Sequence, residues 1–196
     1  RRAYRSALDG TLQPYMVHVP DGLAPDRRHP LLVYLHGSAS DETDLAGVRF
    51  LDPGGCIMMA PRGRGPSNGW TRDHAQQDVA EAIADVLAHY PVDPGRVVLM
   101  GFSMGGYGVY RTHLATPDRF GGLVVLSGLP TYGEGSPDVR EPQHLAAFAG
   151  MPMFVFHGER DRNCPFALTR DLVGDLRAAG AQVEFVIDPV AGHEAI

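Results

Sequence analysis

The sequence predicts an α/β fold in which a mostly parallel sheet alternates with helices. Three observations lead to this class: short apolar runs recur along the chain, apolar residues between them repeat at helical spacing, and a glycine-rich turn follows one central run. The central runs are continuous and not alternating, which is typical of strands covered on both faces. Strands that alternate with helices favour one sheet with right-handed crossovers.

Six apolar runs are the candidate strands of this sheet. They are residues 31–35, 56–60, 97–100, 123–126, 153–156 and 183–187. A further segment, residues 15–19 before Pro20, is predicted to belong to an N-terminal edge hairpin. The connection 127–150 is short and polar, so no large lid is expected over the sheet.

Helices are predicted between these runs. In residues 75–90 the apolar positions recur in steps of three and four, which makes one apolar face. Residues 168–176 repeat the pattern, with Gly180 as a stop, and residues 107–114 are a third helical stretch. Because no internal repeat or linker interrupts the chain, residues 1–196 are predicted to form one domain.

Composition narrows the class of partner. The chain has 196 residues, of which 44% are hydrophobic, so its core is large enough to need no metal or disulfide. The net charge is −6 and no basic stripe carries interleaved aromatics, so no nucleic acid partner is expected. No apolar run approaches the length of a membrane span, so no membrane-spanning segment is expected. Neither cofactor nor metal is predicted, and the oligomeric state is left open.

The start of the chain bears on the cellular location, and the two cysteines bear on metal binding. The chain starts at Arg1 without Met and shows no signal peptide, so cytoplasmic, periplasmic and secreted locations all stay open. Cys56 and Cys164 lack metal-ligand spacing. Cys164 lies in a loop, and the sequence leaves its exposure open.

Residues 101–105, Gly-Phe-Ser-Met-Gly, form the pattern G-x-S-x-G between a predicted strand and a predicted helix. In an α/β sheet this pattern is typical of a nucleophile elbow, a strained turn that exposes a serine hydroxyl at the carboxyl ends of the strands. The alternative is a plain turn. The surrounding strand and helix favour Ser103 as a nucleophile, with the positive end of the following helix beside it.

A serine nucleophile needs a base and a residue that orients the base. His193 follows the last predicted strand and is the candidate base; His113 and His144 are rivals without a strand end before them. Asp161, in the loop after the run 153–156, is the candidate acid, with Glu159 as the alternative. Asp188 is closer to His193 in the sequence but ends its own strand.

Backbone N–H groups are expected to stabilise the oxyanion that such a reaction forms. The candidates are the N–H groups of Met104, next to the nucleophile, and Ser38, in the loop after the run 31–35. His36 is predicted to shape that loop. Trp70 and Tyr132 either line a substrate pocket or pack in the core, and the sequence leaves both alternatives open.

The segments LLVYLHGSAS (31–40), GFSMGGYG (101–108), HGERD (157–161) and AGHE (191–194) resemble, in that order, the α/β-hydrolase superfamily. More narrowly they are similar to bacterial esterases of the prolyl-oligopeptidase-like, dienelactone-hydrolase-like and feruloyl-esterase-like group. The resemblance implies a three-layer fold with helices on both faces of the sheet. Its strand order implies that Cys56 and Cys164 lie several strands apart, too distant for a disulfide. It also implies a Ser103–Asp161–His193 triad with Ser38 and Met104 as oxyanion donors.

The chain differs from this group in two ways. The chain ends three residues after His193, where the group usually continues into a final helix, so one flank of the sheet is expected to be bare. No propeller domain precedes the catalytic part, which disfavours peptidase activity.

The expected function is a metal-free serine hydrolase of soluble carboxylic esters with short-chain, aryl or carbohydrate-linked acyl groups. The alternatives are a peptidase or acyltransferase with the same triad, and an inactive binding module.

Overall fold

A computed structural model of the chain describes residues 1–24, 26–48 and 54–194. Within these residues eight strands form one sheet in the order β1-β2-β4-β3-β5-β6-β7-β8. The strands are β1 (Arg2–Arg5), β2 (Leu12–His18), β3 (His29–Leu35), β4 (Ile57–Pro61), β5 (Val92–Phe102), β6 (Gly122–Leu126), β7 (Pro152–Gly158) and β8 (Gln182–Asp188). Every predicted run is a strand, and most strands extend beyond the apolar run because backbone pairing continues into the flanking residues.

The sheet is mostly parallel, as predicted. β3 pairs in parallel with β4 and β5, and β5 to β8 continue in parallel, whereas β1 and β2 form an antiparallel hairpin whose second strand pairs with β4. This hairpin is the predicted N-terminal edge. Because the parallel strands point the same way, the carboxyl ends of β3, β5, β7 and β8 lie along one edge of the sheet.

Three long helices cover one face of the sheet. They are α2 (Ala75–His89), α3 (Met104–Ala115) and α5 (Phe166–Ala178). Their buried residues pack in one cluster with inward residues of the strands, such as Leu31, Leu99 and Val125. α2 ends one residue earlier than predicted because Tyr90 is extended, with φ −126° and ψ 153°, immediately before Pro91.

The opposite face carries less cover. The short helix α1 (Leu45–Val48) and Ala191 form a second apolar cluster with Tyr34, Met100 and Phe156. Toward the amino ends of the strands, Leu32, Val124 and Phe154 are only half-buried. The sequence predicted burial on both faces; the structure shows it only in the carboxyl halves of the central strands, where α1 and the segment at Ala191 pack.

The connection from β6 to β7 contains helix α4 (Pro142–Leu145) and a 3-10 turn (Ala146–Phe148). Val139 and Phe148 are buried in the main cluster and hold the connection against the body of the fold, as expected for a chain without a large lid. Across residues 1–24, 26–48 and 54–194, no helix combines the length and the apolar character that crossing a membrane requires.

Gly105 lies where α3 contacts β3, and the stability of a variant at this position tests how closely the two elements approach. A Cβ on Gly105 would overlap the carbonyl oxygen of Leu35. Gly105→Ala should therefore destabilise the protein by about 1–3 kcal/mol, as overpacked sites do. Gly174→Ala is the matched control in α5, where nothing lies within 4 Å of an added Cβ, and should stabilise the protein by roughly 0.5–1 kcal/mol. Urea unfolding measures both; equal stability of Gly105→Ala and wild type would contradict the close approach.

Candidate active site

Ser103 lies between the end of β5 and the first turn of α3. Its φ of 56° and ψ of −116° fall in a region that residues with a side chain rarely adopt. The Ser103 N–H donates to the carbonyl of Leu126 at the end of β6, at 2.9 Å, which holds this conformation in place. The strained turn that the sequence predicted is present, and Ser103 lines a cavity at the sheet edge.

Two glycines make this turn sterically accessible. A Cβ on Gly101 would overlap the carbonyl of Gly105, and a Cβ on Gly105 would overlap the carbonyl of Leu35. Any larger residue at either position would therefore push α3 away from the sheet. The glycines of the G-x-S-x-G pattern are needed here for backbone contact as well as for the turn.

Ser103, His193 and Asp161 form a continuous chain of hydrogen bonds. His193 Nε2 lies 2.9 Å from Ser103 Oγ, and His193 Nδ1 lies 2.7 Å from Asp161 Oδ2. A carboxylate only accepts, so Nδ1 carries the proton and the Nε2 lone pair faces the serine hydroxyl. Asp161 is 6% exposed, and this burial shields its charge from water.

Asp161 is fixed by its own loop. Oδ1 accepts the backbone N–H groups of Asn163, at 2.8 Å, and Cys164, at 2.7 Å. These donors satisfy one carboxylate oxygen and leave Oδ2 for His193. The loop therefore orients the carboxylate before any ligand binds.

The other acids that the sequence offered do not reach His193. The Glu159 side chain is exposed, while its backbone N–H donates to the carbonyl of Asp188 at 2.9 Å. Asp188 Oδ1 accepts the N–H groups of Val190 and Ala191, and these bonds hold the Asp188 pKa below its usual range. Asp188 thus stabilises the turn that leads to His193.

His36, His113 and His144 contact backbone carbonyls and not Ser103. His36 is fully buried and joins the loop after β3 to the end of β4, which agrees with its predicted role in shaping that loop. Burial also lowers the pKa of His113, so its imidazole stays neutral. The facing carbonyls are those of Gly37 and Arg62 for His36, Ala147 for His113 and Asp138 for His144.

Ser38 and Met104, the candidate oxyanion donors, line the same cavity as Ser103. Met104 is the first residue of α3, a position where a helical N–H has no partner within the helix. The Ser38 N–H donates to no other described residue, while its Oγ bonds to Tyr132 Oη at 3.0 Å and Ser67 Oγ at 2.9 Å. Both N–H groups therefore stay available beside Ser103.

The cavity has a volume of about 430 Å³, and Tyr132 is part of its wall. Trp70 does not line it. Trp70 is fully buried, its Nε1–H donates to the carbonyl of His36 at 3.3 Å, and its ring lies against the His36 ring. Of the two alternatives that the sequence left open for Trp70, the structure shows the core position. The residue has a φ of 53°, and its ring packs in the core beneath the loop that carries Ser38.

Sequence reasoning missed the roles of Cys164 and His157 around Asp161. Cys164 is 7% exposed because its loop folds back onto Asp161. Its thiol lies beside Ser103, and burial together with the charge of Asp161 raises the thiol pKa to about 12. No disulfide joins it to Cys56.

His157 is fully buried at the end of β7. Its Nε2–H donates to the carbonyl of Cys164 at 2.8 Å and lies 3.4 Å from Asp161 Oδ2. Burial lowers the His157 pKa, so the ring stays neutral next to the carboxylate. The spacing in HGERDRNC, residues 157–164, was the available signal, because one tight turn brings its first, fifth and eighth residues together.

Comparison with known proteins identifies the family of the chain. A family model described as phospholipase/carboxylesterase matches residues 71–196, more than half of the chain. The bifunctional acetylxylan esterase/xylanase XynS20E of Neocallimastix patriciarum is 29% identical over 153 residues, which cover 74% of this chain and 21% of that protein. The chain spans between 21% and 52% of the length of the relatives it matches.

Solved structures share the fold. The crystal structure of a thermostable esterase is 25% identical, with a TM-score of 0.72 over 95% of this chain and 53% of the other. The CE1 ferulic acid esterase AmCE1/Fae1A of Anaeromyces mucronatus is 19% identical, with a TM-score of 0.79 over 98% of this chain and 83% of the other. With an eight-stranded, mostly parallel sheet and a strained G-x-S-x-G turn, the chain has the α/β-hydrolase fold and belongs to the phospholipase/carboxylesterase family.

Proposed function

We propose that this chain is a serine hydrolase that cleaves soluble carboxylic esters through an acyl-enzyme intermediate. The observation that carries the proposal is the unbroken chain of hydrogen bonds from Asp161 Oδ2 through His193 to Ser103 Oγ. A serine hydroxyl is a weak nucleophile until a base takes its proton, and the base needs an orienting group. The family of the chain supports the same chemistry.

Acylation begins at Ser103. Its Oγ attacks the ester carbonyl carbon while His193 Nε2 accepts the hydroxyl proton, and Asp161 stabilises the imidazolium that forms. The carbonyl oxygen becomes an oxyanion, which the N–H groups of Ser38 and Met104 bind. When this intermediate collapses, the bond to the leaving oxygen breaks and His193 gives its proton to the departing alcohol.

Deacylation repeats these steps with water. His193 takes a proton from water, the hydroxide attacks the acyl carbon, and the same two N–H groups bind the second oxyanion. Release of the Ser103 oxygen, which takes back the proton from His193, yields the free acid and restores the enzyme. No electron transfer enters the cycle.

The cavity favours soluble esters with a polar or aryl portion. Ser38, Ser40 and Tyr132 supply hydroxyl groups, while Phe102 and Tyr107 supply aromatic surface. Such a mixed wall suits short-chain, aryl or carbohydrate-linked acyl esters more than long lipid chains. The similar proteins named as acetylxylan and ferulic acid esterases support this choice of ester.

Ser103→Ala is expected to lower kcat for p-nitrophenyl acetate by about 10⁶-fold, because the remaining groups cannot form the acyl-enzyme. Initial rates with the acetate, butyrate and octanoate esters measure both this loss and a decline with chain length in the wild type. His144→Ala is the matched control, since His144 bonds to the carbonyl of Asp138 and should leave the rate unchanged. Equal rates in wild type and Ser103→Ala would refute the nucleophile.

Asp161→Asn is expected to lower kcat by about 10⁴-fold while the fold is kept. The amide of asparagine can donate to Nδ1 and so favours the tautomer in which Nε2 carries the proton. Glu159→Gln, two residues earlier on the exposed side of the loop, should change kcat less than about twofold. Steady-state kinetics of both variants test the choice of acid, and the reverse ranking would assign the role to Glu159.

Tyr132→Phe is expected to lower kcat up to about tenfold with little change in KM. The variant removes the hydroxyl bond to Ser38 Oγ, worth up to about 1.5 kcal/mol, and loosens the loop that presents the Ser38 N–H. Ser38→Ala removes the same bond from the other side and is the partner in a double-mutant cycle. Full additivity of the two effects would show that the bond has no part in positioning the donor.

A further inference from the structure

Cys164, His193 and Asp161 bring a sulfur, a nitrogen and an oxygen atom together at the wall of the cavity. One ligand-type atom of each residue lies within 4.8 Å of the other two, a grouping of His, Cys, Asp or Glu not repeated elsewhere in the described part of the chain. Cys164 and Asp161 are 7% and 6% exposed. Cys164 and His193 both line the cavity, so an ion in solution can reach them.

The three groups match the ligand preferences of zinc. Thiolate, imidazole and carboxylate are the ligands that Zn²⁺ takes in proteins, and three of them leave a fourth tetrahedral position for water. The thiolate and the carboxylate together neutralise the divalent charge where little water is present. Ca²⁺ and Mg²⁺ fit poorly because they prefer sites made of oxygen alone.

We infer that Cys164, His193 and Asp161 bind one Zn²⁺ ion reversibly, and that the bound ion inhibits hydrolysis at Ser103. Tetrahedral coordination places ligand atoms about 3.5 Å apart, so the widest pair must come roughly 1 Å closer. Rotation of the Cys164 side chain about its Cα–Cβ bond supplies a movement of the sulfur of this size, and Asp161 Oδ2 already lies 2.7 Å from His193 Nδ1.

Inhibition follows from where the protons go. The Cys164 thiol releases its proton to solvent as the sulfur–zinc bond forms, while the neutral imidazole keeps its one proton. If the ion binds Nδ1, that proton resides on Nε2, which then faces Ser103 as a donor. If the ion binds Nε2, its lone pair is occupied. In both cases His193 cannot accept the Ser103 proton.

Inhibition of ester hydrolysis by the ion rests on the proposed function, whereas binding of the ion does not. The test therefore measures ion binding and the hydrolysis rate separately. Cd²⁺ is the spectroscopic probe because it takes the same ligands and gives an ultraviolet charge-transfer band when bound to thiolate. Titration of the wild type should show this band saturating at one ion per chain. Ser103→Ala should show the same band, which separates binding from hydrolysis.

The two cysteines provide a matched pair of variants. Cys56 is 5% exposed in the cluster on the other face of the sheet, so Cys56→Ala should keep the band. Cys164→Val preserves side-chain bulk and Cys164→Ala removes it; both should lose the band. Zn²⁺ should inhibit wild type and Cys56→Ala. The inhibition constant should rise at least about tenfold in Cys164→Val, with each rate taken relative to the metal-free rate of that variant.

Each outcome decides one part of the inference. A band that is absent from the wild type, or that persists in Cys164→Val, overturns the zinc site. A band without inhibition of an active enzyme overturns the inhibitory role. A wild-type chain that shows the band but hydrolyses no ester without metal supports the site and refutes the proposed function. Restoration of the rate by a chelator supports reversible binding.

Discussion

The edge of the sheet that carries Ser103 depends on one close backbone contact, that of α3 against the end of β3. The contact is possible only because Gly105 has no side chain beside the Leu35 carbonyl. It fixes the start of α3, and with it the strained conformation of Ser103 and the direction of the Met104 N–H. The loop after β3, which carries Ser38, is held on the other side of the same contact. The proposed nucleophile and both proposed oxyanion donors are thus placed by a single packing distance.

Much of this arrangement could be predicted from the sequence, because it depends on the order of strands and loops along the chain and on the spacing of apolar residues. Continuous apolar runs define parallel strands, and residues just past strand ends meet at one edge, which was enough to bring Ser103, Asp161 and His193 together. The contact of His193 with Asp161, and not with Glu159, agrees with the position of Asp161 further into the loop. These features are encoded locally and need no knowledge of loop conformation.

The features that sequence reasoning missed lie in loops, where no regular period fixes the conformation. Trp70 turns into the core with a φ of 53°, and neither composition nor periodicity encodes such an angle for a tryptophan. Cys164 is buried because two N–H groups of its loop bind Asp161, a contact visible only once the turn is built. The bond between Tyr132 and Ser38 joins residues far apart in the chain, and no local pattern predicts it.

The glycines of α3 also bear on the order in which this protein folds. Gly105, Gly106 and Gly108 together lower the intrinsic helix propensity of α3 by about 3 kcal/mol relative to alanine. A segment of this composition does not hold a helix by itself, so α3 acquires its structure from the sheet on which it packs. The turn at Ser103 is therefore expected to be ordered only where the sheet has formed, so a partly folded chain would carry the proposed catalytic residues without their arrangement.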